Sequence, residues 1–237
     1  MLRVLVTRPE PGAARTARAL EAMGHRPILL SLSETRPLPA DENVLPAQID
    51  VVAATSANAL RLAPPALVAR LAALPCHAVG TRTAQAARAA GFLFVEEGPG
   101  DAEALAASIG EGLSGRTLLY LCGRVRLPLF EERLARAGVH VQPVETYDTV
   151  TIEPSSETVT ARLGAGADAV LLYSAKAAEA AGRLAARPAL APLFTHAHML
   201  ALSGRVAAAF GPEAGGGMHV ASAPTEEALL ELLRGLD

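Results

Sequence analysis

The sequence predicts an α/β protein of parallel sheets covered by helices on both faces, and three observations predict it. Short β-branched or leucine-rich runs alternate with Ala/Arg/Leu segments of helical period along the chain. Strands alternating with helices require crossover connections, and these give parallel sheets with both faces buried. The composition, 51% hydrophobic and 19% charged over 237 residues, suits one large or two small globular domains. Four segments also recur in the same order, so the architecture is expected to have been built twice by internal duplication.

Taken in order, RVLVTR (3–8) reads as a strand and PGAARTARALEAMG (11–24) as a helix stopped by Gly24, with PILLSL (27–32) as the second strand. IDVVAAT (49–55) and HAVG (77–80) follow as strands, then TAQAARAAG (83–91) as a helix and FLFVEEG (92–98) as a strand. AEALAASIGEGL (102–113), RTLLYL (116–121), LPLFEERLARAG (127–138) and VHVQPVETY (139–147) continue the alternation. Gly215–Gly217 reads as a turn before the last strand.

The repeat is carried by matched pairs. The strand and helix from Arg3 resemble those from Arg116, and DVVAATSANAL (50–60) resembles DAVLLYSAKAA (168–178), with the same Asp, apolar run and Ser. HAVGTRTAQAARAAG (77–91) resembles MLALSGRVAAAFG (199–211), and DAEALAASI (101–109) resembles TEEALLELL (225–233). Each second strand ends in an extended polar stretch, SLSETRPLP (31–39) and VETYDTVTIEP (144–154), where Pro37 and Pro39 oppose helix. These read as a paired linker. The expected division is a discontinuous domain of 1–35 plus 153–237, an inserted domain of 39–147, and linkers near 36–38 and 148–152.

Several function classes are argued against. A net charge of −3 with three Tyr, five Phe and no Trp gives little reason to expect nucleic acid. The opening MLRVLVTRPEPG lacks a signal-peptide core, and no run reaches the roughly 18 apolar residues of a spanning helix. Cys76 and Cys122 have no metal-ligand spacing and fit a reducing cytoplasm. No phosphate-loop or dinucleotide fingerprint occurs, and His196 and His198, spaced HAH in an expected loop, have no accompanying ligands in sequence, so no metal is expected.

LVTRPEP (5–11), TSANA (55–59), AVGTRTAQAARAAG (78–91), ETYDT (145–149) and PTEEALLELL (224–233) together resemble the uroporphyrinogen-III synthase family, in that family's order and over nearly the whole chain. The resemblance implies two small doubly wound, flavodoxin-like domains joined by a two-stranded linker over an open cleft. It implies a cofactor-free lyase that closes hydroxymethylbilane, a linear tetrapyrrole polycarboxylate, to uroporphyrinogen III with loss of water and inversion of ring D. Ring A would lose its hydroxyl to give an azafulvene, and ring D would attack through a spiro intermediate. It further implies a cytoplasmic monomer, free of nucleic acid and membrane, with a transient contact to the preceding pathway enzyme.

A polycarboxylate needs hydrogen-bond donors, and in a doubly wound sheet ligands sit at the strands' carboxyl ends, where helix N–H groups point outward. Thr7, Arg8, Ser56, Ala57, Asn58, Gly80, Thr81 and Thr83 fall at such ends in the first part of the chain, and Ser174, Ala175, Lys176, Ser203 and Arg205 later. Ser, Thr and Asn at these positions are also the preferred helix caps whether or not a ligand binds. Tyr147, in ETYDT, matches the family tyrosine associated with proton donation and is the candidate catalytic residue. The chain departs from the family at Ser203–Ala207, where a valine, Val206, replaces the usual threonine, and at Lys176, which replaces a small residue or Pro. Two rivals are a two-domain binding protein for an anionic small molecule and a regulatory protein of similar halves; neither accounts for the ordered motifs.

Overall fold

The computed structural model describes residues 1–40, 45–126, 128–211 and 216–236. The chain forms two compact units, one of residues up to Glu34 together with those from Val150 onward, the other of Thr35–Thr149.

The first unit is a mixed α/β layer structure. Its sheet contains β1 (Arg3–Val6), β2 (Arg26–Leu29), β9 (Ala169–Leu172), β10 (His198–Ala201) and β11 (Met218–Val220) in the order β11-β10-β9-β1-β2, all paired in parallel. Leu5, Val170, Leu172, Met199 and Ala201 pack one face against α7 (Ser156–Leu163), α8 (Ala175–Ala185) and α9 (Gly204–Phe210). Val4, Val6, Ala169, Leu171 and Leu200 pack the other face against α1 (Gly12–Ala22) and α10 (Glu226–Glu231). Burial on both faces is why these strands read as unbroken apolar runs.

The second unit is likewise a sheet with helices on both faces. Its sheet has the order β3-β8-β7-β4-β5-β6, from β3 (Ser33–Pro37), β4 (Val51–Ala54), β5 (Pro75–Ala78), β6 (Phe94–Glu97), β7 (Thr117–Gly123) and β8 (His140–Thr151). One face carries α2 (Ala57–Arg61), α3 (Pro65–Leu71) and α4 (Thr81–Ala90), the other α5 (Ala102–Gly110) and α6 (Leu129–Arg136). Buried Cys76 and Cys122 pack in these two layers, and burial pushes both thiols up to about 12.

The expected linkers are strands. Leu32 accepts from Ile152 N–H at 3.0 Å and Thr146 accepts from Leu38 N–H at 2.9 Å, so β3 and β8 run antiparallel, and the chain passes between the units along them. Because β3 supplies partners, β8 continues as one 12-residue strand through the stretch that sequence reading gave to a linker. His198 likewise opens β10 instead of lying in a loop, its Nδ1 3.1 Å from His219 Nε2. Among the described residues no group of three or more His, Cys, Asp or Glu could hold a metal, and no helix is long and apolar enough to cross a membrane. Leu127 and Gly215, at the starts of an expected helix and turn, lie outside the described residues.

The repeated Asp has one structural job in both units. Asp168 Oδ2 accepts from Arg3 N–H at 2.6 Å while Asp168 N–H donates to Arg3 O at 2.9 Å, tying the start of β9 to β1. Asp50 does the same for β4 and β7, through Thr117 N–H at 2.8 Å and Thr117 O at 3.0 Å. The Thr117 N–H holds the Asp50 carboxyl below its usual range, assisted by Gln48 and opposed by burial. A depressed carboxyl stabilises the fold above the ordinary Asp value of about 4 and loses that contribution as pH falls through the lower folded value. Asp50→Asn should therefore lower the thermal midpoint at pH 7, and the gap from wild type should close on acidification. A gap equally wide in acid would mean that the charge does not strengthen the clamp.

Candidate functional site

In each unit the helix starts gather at the carboxyl ends of the parallel strands. Beyond β4, Ser56 caps α2, its hydroxyl accepting from Asn58 N–H at 3.3 Å, with Ala57 and Asn58 forming the first half-buried turn. Beyond β5, Gly80 opens α4, backed by Gly100, whose Cα would lie 3.1 Å from a Cβ at Gly80. Thr81 is exposed, its hydroxyl bonded to Glu97, and Thr83 is buried within the helix's first turn. In the first unit Ser174 caps α8 through Ala177 N–H at 3.2 Å, with Ala175 and Lys176 behind it. Ser203 caps α9 through Val206 N–H at 3.4 Å, with Arg205 exposed beside it. Val206, where the family's threonine is replaced, is buried and packs into the core.

Thr7 is placed differently from the open edge that its position suggests. It is fully buried, and its hydroxyl donates to Leu171 O at 2.7 Å, bracing β1 against β9. The adjacent Arg8 is half-buried, its Cζ lying 4.2 Å from the centroid of the Tyr173 ring and its Nη1 3.1 Å from Glu226 Oε1. Glu226 also accepts from Arg15 Nε at 3.2 Å, from Tyr173 OH at 3.2 Å and from Thr16. Burial raises the Glu226 carboxyl, but the Thr16 hydroxyl and the two arginines outweigh it and hold the carboxyl below its usual range. Burial likewise pushes the Tyr173 phenol up to about 12.

Tyr147 owes its aim to a β-bulge. The β7/β8 register runs Cys122 to Glu145 and then Gly123 to Tyr147, leaving Thr146 as the extra residue. Buried Thr146 fixes the bulge, its hydroxyl donating to Ala59 O at 2.8 Å. Tyr147 is thereby turned onto the face that carries α2 and α4, and it lies across Gly123, where a Cβ would sit 2.7 Å from Cζ and 2.9 Å from the hydroxyl. Among the described residues the Tyr147 hydroxyl has no hydrogen-bond partner.

Sequence reading missed three features of these edges. They are the carboxylate hub at Glu226, the pair of Thr55 Oγ1 and Tyr120 OH at 2.5 Å, and the cluster of Arg124 and Arg126 with Glu131, Glu145 and Asp148 after β7. Some of these residues had a signal, Glu226 in the closing PTEEALLELL motif, Glu145 and Asp148 in ETYDT and Thr55 in TSANA, whereas Tyr120, Arg124, Arg126 and Glu131 had none.

The fold is similar to that of uroporphyrinogen-III synthetase from Helicobacter pylori, with TM-score 0.68 at 17% identity over 100% of both chains. It is also similar to a mutant uroporphyrinogen III synthase from Thermus thermophilus, with TM-score 0.54 at 21% identity over 100% of this chain and 98% of that one. No curated protein matches the chain in a sequence search. The family model for uroporphyrinogen-III synthase HemD matches residues 14–231, nearly the whole chain, and the chain therefore belongs to the uroporphyrinogen-III synthase family, enzymes of tetrapyrrole biosynthesis.

Proposed function

We propose that the chain acts as a hydro-lyase that closes hydroxymethylbilane to uroporphyrinogen III with inversion of ring D, as a cytoplasmic monomer that meets the preceding pathway enzyme transiently. The observation that carries this reading within the family is the gathering of helix starts and arginine at the strand carboxyl ends of both sheets. Each helix start offers backbone N–H groups and a weakly positive end to a carboxylate. Ser56, Ala57, Asn58, Gly80, Thr81, Ser174, Ala175, Lys176, Ser203, Arg205 and Arg8 supply donors, while buried Thr7 braces β1 against β9 and Thr83 is buried at the start of α4. Holding the two reacting ends of the chain in place is worth roughly 7–11 kcal/mol of barrier.

The halves are read as duplicated domains. Matching β1, β2, β9, β10 and β11 with β7, β8, β4, β5 and β6 gives the same spatial order in both sheets. The Asp168 and Asp50 clamps coincide under that match, as do the Thr225 and Asp101 caps of α10 and α5.

The Tyr147 hydroxyl, half-buried and without a partner among the described residues, donates to the departing ring A hydroxyl or to the intermediate that follows. Losing one such hydrogen bond in the transition state costs about tenfold in rate. Tyr147→Phe should slow turnover by about that factor without abolishing it. Gly123→Ala, whose methyl occupies the ring's place, should slow it similarly; unchanged rates in both would remove Tyr147 from the chemistry.

Purified protein supplied with freshly generated hydroxymethylbilane should give predominantly the type III isomer after oxidation and chromatography. Only type I, as forms without enzyme, would sink the cyclase reading in favour of an anion-binding protein.

A further inference from the structure

In the first unit the guanidinium of Arg8 is held by neighbours on several sides. Arg8 follows β1 at the carboxyl edge, beside Tyr173 and Ser174 at the end of neighbouring β9. Three neighbours fix its guanidinium: the Tyr173 ring 4.2 Å from Cζ, the Glu226 carboxylate 3.1 Å from Nη1, and the bare Cα of Gly12 in the first turn of α1. A Cβ at Gly12 would lie 2.8 Å from Cζ and 2.9 Å from Nη2, so glycine leaves the space in which the guanidinium lies. Glu226 is itself fixed, by Arg15, Thr16 and Tyr173.

Two consequences point to a ligand. Nη1 donates to Glu226 and the Tyr173 hydroxyl also interacts with Arg8, yet neither Nε nor Nη2 is sealed from solvent. These two form one edge of the fork that matches a carboxylate bidentately. Within the cluster two guanidinium groups, Arg8 and Arg15, share the one Glu226 carboxylate, so neither is fully neutralised by it. A guanidinium held on a ring and a carboxylate has lost most of the rotamer freedom that a free arginine would lose on binding.

We propose that Gly12, Tyr173 and Glu226 form a socket that positions Arg8 to receive one carboxylate of the substrate. The inference deepens the cyclase reading and rests on it for the identity of that substrate. Arg8 touches the ligand; Gly12, Tyr173 and Glu226 act through Arg8.

Gly12→Ala separates the socket from the fold, because its methyl meets only the far end of a side chain and alanine favours the helix. The variant should keep or raise the thermal midpoint while KM for hydroxymethylbilane rises at least tenfold and kcat changes less. Arg8→Ala should give the same KM, Arg8→Lys should not restore it, and Gly12→Ala combined with Arg8→Ala should be no worse than Arg8→Ala alone. KM within twofold of wild type in Gly12→Ala, or multiplied effects in the double variant, would overturn the socket. Binding of uroporphyrin, a stable tetrapyrrole polycarboxylate, followed by its fluorescence in the same proteins, separates the two readings. Weakened binding by both variants alongside a wild type that makes no type III product would sustain the socket and end the cyclase reading. An active wild type whose uroporphyrin affinity and KM are unmoved by either variant would end the socket alone.

Discussion

Strand direction is the constraint from which both candidate sites follow. The strands β1, β2, β9, β10 and β11 pair in parallel, as do β4 to β8. Parallel strands need crossovers, so these parallel strands end on one edge of their sheet and the helices that follow them start there. The first turn of a helix has four N–H groups without intrahelical partners. The serine caps at Ser56, Ser174 and Ser203 each occupy one of them, which leaves the others for a ligand. Capping and anion binding are thus compatible uses of one turn.

What distinguishes these edges from those of any doubly wound sheet is a small set of local irregularities. At Thr146 a bulge admits one residue too many, and the alternation of side chains shifts so that Tyr147 falls on the face of Val144 and Thr146. A regular strand would have sent Tyr147 to the opposite face with Glu145. Gly123 then leaves room for the ring, as Gly12 leaves room for Arg8. In both cases a missing Cβ lets the side chain lie against backbone, Tyr147 held by shape and Arg8 by shape together with its bond to Glu226.

The parts of this design that were legible in the sequence are those with local signals. Apolar runs gave the strands, and Ser56, Gly80, Ser174 and Ser203 marked helix starts because capping is decided within three residues. The parts that were not legible depend on partners far along the chain. Thr7 looks like an edge donor until Leu171, 164 residues away, takes its hydroxyl. Glu226 looks like an ordinary first-turn acid until Arg8, 218 residues away, meets it. The pairing of β3 with β8 was read from the two extended polar stretches, but that it carries β8 on as one strand to Thr151 shows only in the structure. Tyr147 was singled out by motif, but its aim follows from a register shift visible only once β7 is beside it.

Magnitudes rank the contributions to the proposed chemistry. A helix end offers a carboxylate about 0.3–1 kcal/mol and a charge-assisted hydrogen bond about 1.5–3. One phenol in a transition state is worth about a factor of ten. Fixing two reacting ends reaches roughly 7–11 kcal/mol, more than any single one of these. The uninverted ring closes without an enzyme, so catalysis has to discriminate between two closures of one chain, and a proton donor placed near the leaving hydroxyl accelerates both. Discrimination has to come from where the carboxylates are held. On the proposed reading, a rigid anchor such as the Arg8 socket is more consequential for the product than Tyr147, whose proposed proton donation would set only the rate at which a choice made by position is carried through.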